Sequence, residues 1–209
     1  MEPPPDLADP EAWTGLVCAA NPAALLVSIS IRMGLELRHR ITAEDILQET
    51  LLKAWAARAT FAWEDTPSFR RWLLRIADNC IADHRDRERA DKRDHRRIAA
   101  LRIGVKDTSS EEGGSGAFEP WGSTTPSRLA SERERAQRMH TALEALPDDV
   151  REVVRLRLFD ERTLEEIAES LGIGISAVRH RLRKGAELYS RLIGMDPVPT
   201  PSPLPRPSS

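Results

Sequence analysis

The chain has 209 residues, enough for one medium domain or two small ones, and 40% of them are apolar. Lys and Arg number 31 against 33 Asp and Glu, a formal net charge of −2, so bulk charge selects no partner and any electrostatic function has to be local. No apolar run approaches the roughly 20 residues of a membrane helix, and the acidic, Pro-rich start MEPPPDLADPEAW is unlike a signal peptide, which points to a cytoplasmic protein with no membrane insertion.

Residues 1–10 read as a disordered start. Helical periodicity then marks a first block over 11–103. Within it, ITAEDILQETLLKAW predicts a helix that packs Leu47, Leu51, Ala54 and Trp55 inward. Its other face is mixed polar and apolar, with Asp45, Gln48, Glu49 and Leu52, and is either a solvated surface or a protein contact. TFAWEDTPSF follows as a connection rich in aromatics (Phe61, Trp63, Phe69). A long helix comes next, FRRWLLRIADNCIADHRDRERADKRDHRRIAALR, with Phe69, Trp72, Leu73, Ile76, Cys80 and Ile81 as its core stripe. Arg71, Arg75, Asp78, Asn79 and Ala82 fall on another face. Between Asp83 and Arg97 there are seven bases and five acids, a mixture that also describes an exposed helix held by intrahelical pairs. Aromatics beside Arg and Asn suit unstacked bases, because single strands are held by stacking plus a basic track.

GVKDTSSEEGGSGAFEPWGSTTP, residues 104–126, is rich in Gly, Ser, Thr and acid and reads as a flexible linker. The second helical block covers 127–195. In it Leu146-Pro147-Asp148-Asp149 predicts a helix start with proline at the first helical position, after which Val150, Val153, Val154 and Leu158 line one face. Thr163 with Glu166 forms a capping-box pattern before the stripe Leu164, Ile167, Ala168, Leu171, and Gly172 and Gly174 supply a turn. Ser176 is placed as the N-cap of a last helix. That helix buries Val178, Leu182, Ala186, Tyr189 and Ile193 and shows Ser176, Arg179, His180, Arg183 and Lys184. Residues 173–195 carry five bases and one acid, whereas 144–169 carry four bases and nine acids. A helix–turn–helix sets its second helix in the DNA major groove with its first residues at base edges and further Arg or Lys on phosphates, and this block has that arrangement. The Pro-rich tail 196–209, DPVPTPSPLPRPSS, reads as extended and solvated. The fold class expected is all-α: two small helical domains joined by a flexible linker, the second a helix–turn–helix DNA-binding domain.

An enzyme is poorly supported. The histidines (39, 84, 95, 140 and 180) pair with no nucleophile or ligand cluster, and there is no Gly-rich phosphate loop. Cys18 and Cys80 are far apart and lack metal-ligand spacing, as reduced thiols would. No catalytic residue, metal or cofactor is expected.

With both blocks in view, the chain resembles the extracytoplasmic-function (ECF) group of bacterial sigma-70 family transcription initiation factors. AEDILQETLLKAW followed by FRRWLLRIADNCIADHRDR resembles the region that binds polymerase and melts the promoter −10 element. ALEALPDDVREVVRLRLFDERTLEEIAESLGIGISAVRHRLRKGAELYSRL resembles the region that reads the −35 element. The resemblance implies promoter DNA and core RNA polymerase (its β′ clamp and β flap) as partners, and admits an anti-sigma factor as a third. It assigns Asp45, Gln48, Glu49 and Leu52 to polymerase docking and Phe61, Trp63, Arg71, Arg75 and Asn79 to the −10 element, with loop 61–68 capturing a flipped base. It assigns Ser176, Arg179, His180, Arg183 and Lys184 to the −35 element. Two departures stand out: NPAALLVSISIRMGLELRHR is apolar where the family's stretch is basic, and Asp78 and Asp83 dilute the −10 face. The alternative reading is a helix–turn–helix transcriptional regulator without polymerase docking.

Overall fold

The computed structural model describes residues 5–100 and 126–194, with side chains over 5–90 and 128–194. The linker and the Pro-rich tail expected from the sequence lie outside the described residues, Pro126 apart. Every described element is helical, and among the described residues there is no strand. The chain divides into two compact units, residues 1–132 and 133–209.

In the N-terminal unit, α1 spans Pro10–Ala19 and is capped by Asp9, whose carboxylate accepts from the N–H groups of Glu11 and Ala12. Local structure thus reaches back to the Asp6–Asp9 turn, inside the segment read from sequence as disordered. Helix α2, Pro22–Arg38, buries every residue from Pro22 to Ile29. Such all-round burial is what an uninterrupted apolar run requires. The helix breaks at Gly34, whose φ of 72° a side chain would oppose. The carbonyls released there find a donor on another helix: an Arg85 Nη2 bonds the carbonyls of Arg32 and Met33 at 2.6 and 3.2 Å.

Helix α3, Ala43–Ala57, opens with a capping box in which Thr42 and Asp45 bond each other's backbone N–H. It buries Ile46, Leu47, Thr50, Leu51 and Ala54 and leaves Trp55 half-buried. A 3-10 turn, Arg58–Thr60, leads to the loop before α4, Thr66–Ala100. Asp65 and Ser68 cap α4 reciprocally, at 2.7 Å from the Ser68 N–H and 3.1 Å from the Asp65 N–H. On α4 the buried stripe is Phe69, Leu73, Leu74, Ala77, Cys80 and Ile81. Trp72 and Ile76, expected in that stripe, are only half-buried, because α4 lies against both α2 and α3 and so turns the face bearing Leu74 and Ala77 inward.

In the C-terminal unit, α5 (Pro126–Glu144, with the unit boundary inside it) is followed by α6 (Asp148–Leu158), α7 (Leu164–Leu171) and α8 (Ile175–Ile193). Helix α6 is buried on two sides. Val150 and Val154 face the middle of α8, where a Cβ on Gly185 would stand 2.5 Å from a Val154 methyl; Val153 and Leu156 join Ile167, Ala168 and Val178. The expected stripe therefore needs correction: Leu156 is buried, and Leu158 is 37% exposed. A single-face pattern does not foresee a helix clasped from two directions. Pro147 sits one position earlier than expected, as N-cap, with Asp148 first in the helix. The α7 box is formed both ways, Thr163 N–H to Glu166 Oε2 at 2.8 Å and Glu166 N–H to Thr163 Oγ1 at 3.2 Å. Gly172, at φ 63°, ends α7.

Candidate nucleic-acid interface

The turn after Gly172 sets the start of α8, and here the placement of Ser176 needs correction. Gly174 is the N-cap, in an extended conformation and with no side-chain cap bond, and Ser176 is the second helical residue. Its hydroxyl is therefore not spent on capping and stands exposed in the first turn beside Ile175, which is 38% exposed. Arg179, His180, Arg183 and Lys184 continue that exposed face over the next two turns, and none of them has a hydrogen bond or ion pair among the described residues. The opposite face is anchored by Val178 and by Tyr189, whose ring meets Phe159 edge-on at 6.1 Å and whose hydroxyl donates to the Met139 carbonyl of α5 at 3.3 Å. Burial pushes the Tyr189 hydroxyl above its ordinary range, so it remains a neutral donor.

The arginines of α6 behave differently. Arg155 grips Glu152 through two nitrogens, at 2.6 and 2.9 Å, and reaches Asp160 at 2.7 Å. The Glu152 hydrogen bond holds the guanidinium charged against its burial, and Arg155 in turn holds the Glu152 carboxyl below the ordinary range. Arg151 bonds the carbonyls of Glu144 and Leu146, and Arg157 that of Arg162. These arginines close loops, whereas Arg179 and Arg183 of α8 face outward unengaged, and only in the last turn of α8 does Arg191 pair with Glu187 among the described residues.

On the N-terminal unit, Arg71, Arg75 and Asn79 are exposed at four-residue spacing on α4, in steps of about 6 Å along the axis, and likewise lack partners among the described residues. Beside this stripe the loop aromatics are packed rather than loose. Phe61 stacks on Trp72 with centroids 4.8 Å apart, and both Phe61 and Trp63 touch Phe69, at 5.7 and 6.3 Å. Phe69 rests in turn on Trp13 of α1, at 5.5 Å, and Trp13 on Trp55 at 5.3 Å. Each aromatic contact of this geometry contributes on the order of 0.5–1.5 kcal/mol beyond its buried area. Phe61 and Trp63 keep only part of each ring open to solvent, so the surface they offer is a half-buried shelf.

The predicted docking residues separate into two kinds. Gln48 and Leu52 (43% exposed) point outward one turn apart on α3. Asp45 is exposed but committed to the capping box. Glu49 is held inside a charge network: Lys53 Nζ lies 2.9 Å from one of its carboxylate oxygens and His84 Nε2 2.8 Å from the other. Burial opposes ionisation of Glu49, but the bonds from Lys53 and His84 together outweigh it and hold the carboxyl below its ordinary 4.5. Lys53 also reaches Asp83 of α4 at 2.9 Å, and Arg32 of α2 reaches Asp78 at 3.2 Å. Periodicity gave no sign of Arg32, Lys53 or Arg85 as members of this surface or of the buried Trp13 beneath it, because the contacts that place them there reach other helices. Among the described residues no group of three His, Cys, Asp or Glu is placed to hold a metal ion, and no single helix is long and apolar enough to cross a membrane.

The sequence model of Sigma-70 region 2 matches residues 23–90, which span α2, α3, the aromatic loop and the described side chains of α4. That of Sigma-70, region 4 matches residues 136–187, from α5 into α8. The two segments together make up more than half of the chain. The ECF RNA polymerase sigma-E factor of Escherichia coli (strain K12) is 27% identical over 143 residues, 68% of this chain and 69% of its own. The RNA polymerase sigma-H factor of Pseudomonas aeruginosa is 26% identical over 154 residues, 72% of each chain. Among solved structures, the sigma factor RpoE in complex with the anti-sigma factor NepR from Bartonella quintana is 21% identical, with 86% of this chain and 95% of that one covered and a TM-score of 0.33.

Proposed function

The chain belongs to the sigma-70 family, in its extracytoplasmic-function group, and serves as an RNA polymerase sigma factor in transcription initiation; from that premise we propose how its surfaces divide the work. The N-terminal unit docks on the β′ clamp through α3 and engages the −10 element with Arg71, Arg75, Asn79 and the shelf of Phe61 and Trp63, assisting promoter melting. Helix α8 reads the −35 element with Ser176, Arg179, His180, Arg183 and Lys184. The observation that carries this reading is the presence, one on each matched segment, of two exposed faces whose cations have no partner among the described residues.

The chemistry follows from the geometry. Exposed arginines one turn apart on α8 suit bidentate bonds to guanine or contacts to phosphate, and the uncapped first turn leaves Ile175 and Ser176 for base edges. A stripe of cations beside half-buried rings suits bases that have left the stack, the rings supplying a π-face and the arginines the backbone attraction. On the docking side, Gln48 and Leu52 carry the contact directly. Asp45 and Glu49 shape it from within, one by capping α3 and the other by tying it to α4.

Arg179→Ala is expected to lower closed-complex formation at the −35 element by roughly 1–3 kcal/mol, with little effect on a template whose −10 segment is already unpaired and whose −35 is absent. Asn79→Ala is expected to spare initial binding and slow opening, read as permanganate-reactive thymines near −10. Equal defects from both variants on both templates would sink this division of labour. Undiminished transcription by a chain carrying alanine at Gln48 and Leu52 would favour a regulator that does not dock on polymerase. Those two residues are the better probes, since replacing Glu49 would also take a partner from Lys53 and from His84.

A further inference from the structure

The stripe on α4 meets acid at its end. Arg71, Arg75 and Asn79 recur every four residues, the next member at that spacing is Asp83, and Asp78 flanks Asn79. Bare carboxylates there would repel the phosphates that the two arginines attract. Both acids, however, are met by cations from other helices. Arg32 of α2 brings Nε to 3.2 Å from Asp78 Oδ1, and Lys53 of α3 brings Nζ to 2.9 Å from Asp83 Oδ2. The hydrogen bond from Lys53 holds the Asp83 carboxyl below its ordinary range, so that pair stays ionised, with the Lys53 charge shared between Asp83 and Glu49.

These pairs are not strong fasteners. The acids' side chains are 54% and 49% exposed, and ion pairs in water contribute little to folding. Their consequence is for the field outside the protein, where a neutralised carboxylate no longer cancels a neighbouring arginine.

We propose that Arg32 and Lys53 are positioning residues for nucleic-acid binding by α4: by holding the carboxylates of Asp78 and Asp83 they leave Arg71 and Arg75 as the net charge of the stripe and end its usable length at Asn79. The proposal rests on the reading of α4 as the −10 face. It gives α2 a part in DNA binding although that helix is apolar where it is buried, and it makes Asp78 and Asp83 components of the surface whose charge is set by tertiary pairing.

The Arg32–Asp78 pair is the cleaner test, because Lys53 also serves Glu49. Holoenzyme assembled from the full chain and core polymerase is titrated with a template unpaired over its −10 segment, at a series of salt concentrations. Arg32→Ala removes the cation paired with Asp78 and makes the face one charge more negative. It is expected to weaken binding about threefold at low salt and to reduce the slope of log affinity against log salt by roughly 0.7, the contribution of one phosphate on a single strand. Asp78→Asn is expected to move the other way, binding as tightly as the unmodified chain or more tightly, with a steeper slope. The double variant should return to the starting values, and Arg32→Lys should stay near them. Equal weakening by Arg32→Ala and Asp78→Asn would make the pair a plain structural fastener and overturn the proposal. Arg75→Ala separates the two layers of the argument: if it weakens binding and Arg32→Ala does not, the proposal falls alone; if neither does, the −10 reading falls with it.

Discussion

In the C-terminal unit, Arg179, His180, Arg183 and Lys184 stand on one helix with no partner among the described residues, while Arg151 and Arg155 of α6 are paired and Arg191 pairs with Glu187 at the far end of α8. In the N-terminal unit, four helices form or support one surface. The stripe of α4 has its acids answered from α2 and α3, its aromatic shelf rests through Phe69 on Trp13 of α1, and Glu49 of α3 is bonded to His84 of α4. A face carried by one amphipathic helix can be altered residue by residue. A face assembled from several is coupled to their packing, so that core changes reach it and charges cannot be counted from one helix. This difference suits the proposed tasks, since a duplex presents fixed base edges to one helix, whereas a melted strand has to be held by rings and charges together.

The largest expected effect would test that coupling. Trp13 is fully buried, outside the segment matched by the region 2 model, and edge-on to both Trp55 and Phe69. Trp13→Ala is expected to destabilise the N-terminal unit by about 3–5 kcal/mol, as for other large-to-small changes at a filled core site. Urea unfolding followed by near-ultraviolet circular dichroism measures this. A loss under about 1 kcal/mol would show that the shelf does not depend on α1, and the contrast between the units would weaken.

A smaller effect is expected in the C-terminal unit, at the closest approach of α8 to α6. A Cβ on Gly185 would lie 2.5 Å from Val154 Cγ2 and 3.2 Å from Val150 Cβ, so Gly185→Ala has to push the helices apart. Overpacking of this kind costs about 1–3 kcal/mol. Because the face proposed for −35 recognition lies on the exposed side of the same helix, −35 binding measured at a temperature where the variant is folded should change little. A strong loss of binding in the folded variant would mean that the α8 face is also composite.

The smallest effect concerns acid. Glu49 and Asp83 in one unit and Glu152 in the other all have carboxyls below their ordinary values of 4.5, 3.8 and 4.5. A depressed folded pKa contributes stability that is present above the unfolded value and lost as pH falls through the folded one. Urea midpoints should therefore hold steady from neutral pH down to about 5 and decline below about 4. Lys53→Ala should flatten that decline for the N-terminal unit and leave it intact for the C-terminal one, whose decline should depend on Arg155. An acid limb unchanged in both variants would remove these pairs from the account.

What the amino-acid sequence determined by itself was local. The helical class, the Thr163–Glu166 box, the left-handed glycine at Gly172 and the exposed basic face of α8 all follow from a 3.6-residue period and from turn chemistry spanning a few positions. Where the local rule had competitors it slipped by one or two residues: Gly174 rather than Ser176 caps α8, and Leu156 rather than Leu158 is buried on α6. Only the tertiary structure decided which charges are spent. Arg32 meets Asp78, Lys53 meets Asp83, Glu49 meets His84 and Arg85 meets the broken end of α2, each across dozens of residues of chain. The physical reason is that periodicity fixes which way a side chain points from its own helix, while a partner on another helix is fixed by how the helices pack. A carboxylate that reads as repulsive along α4 is therefore met by a cation from another helix in the folded surface.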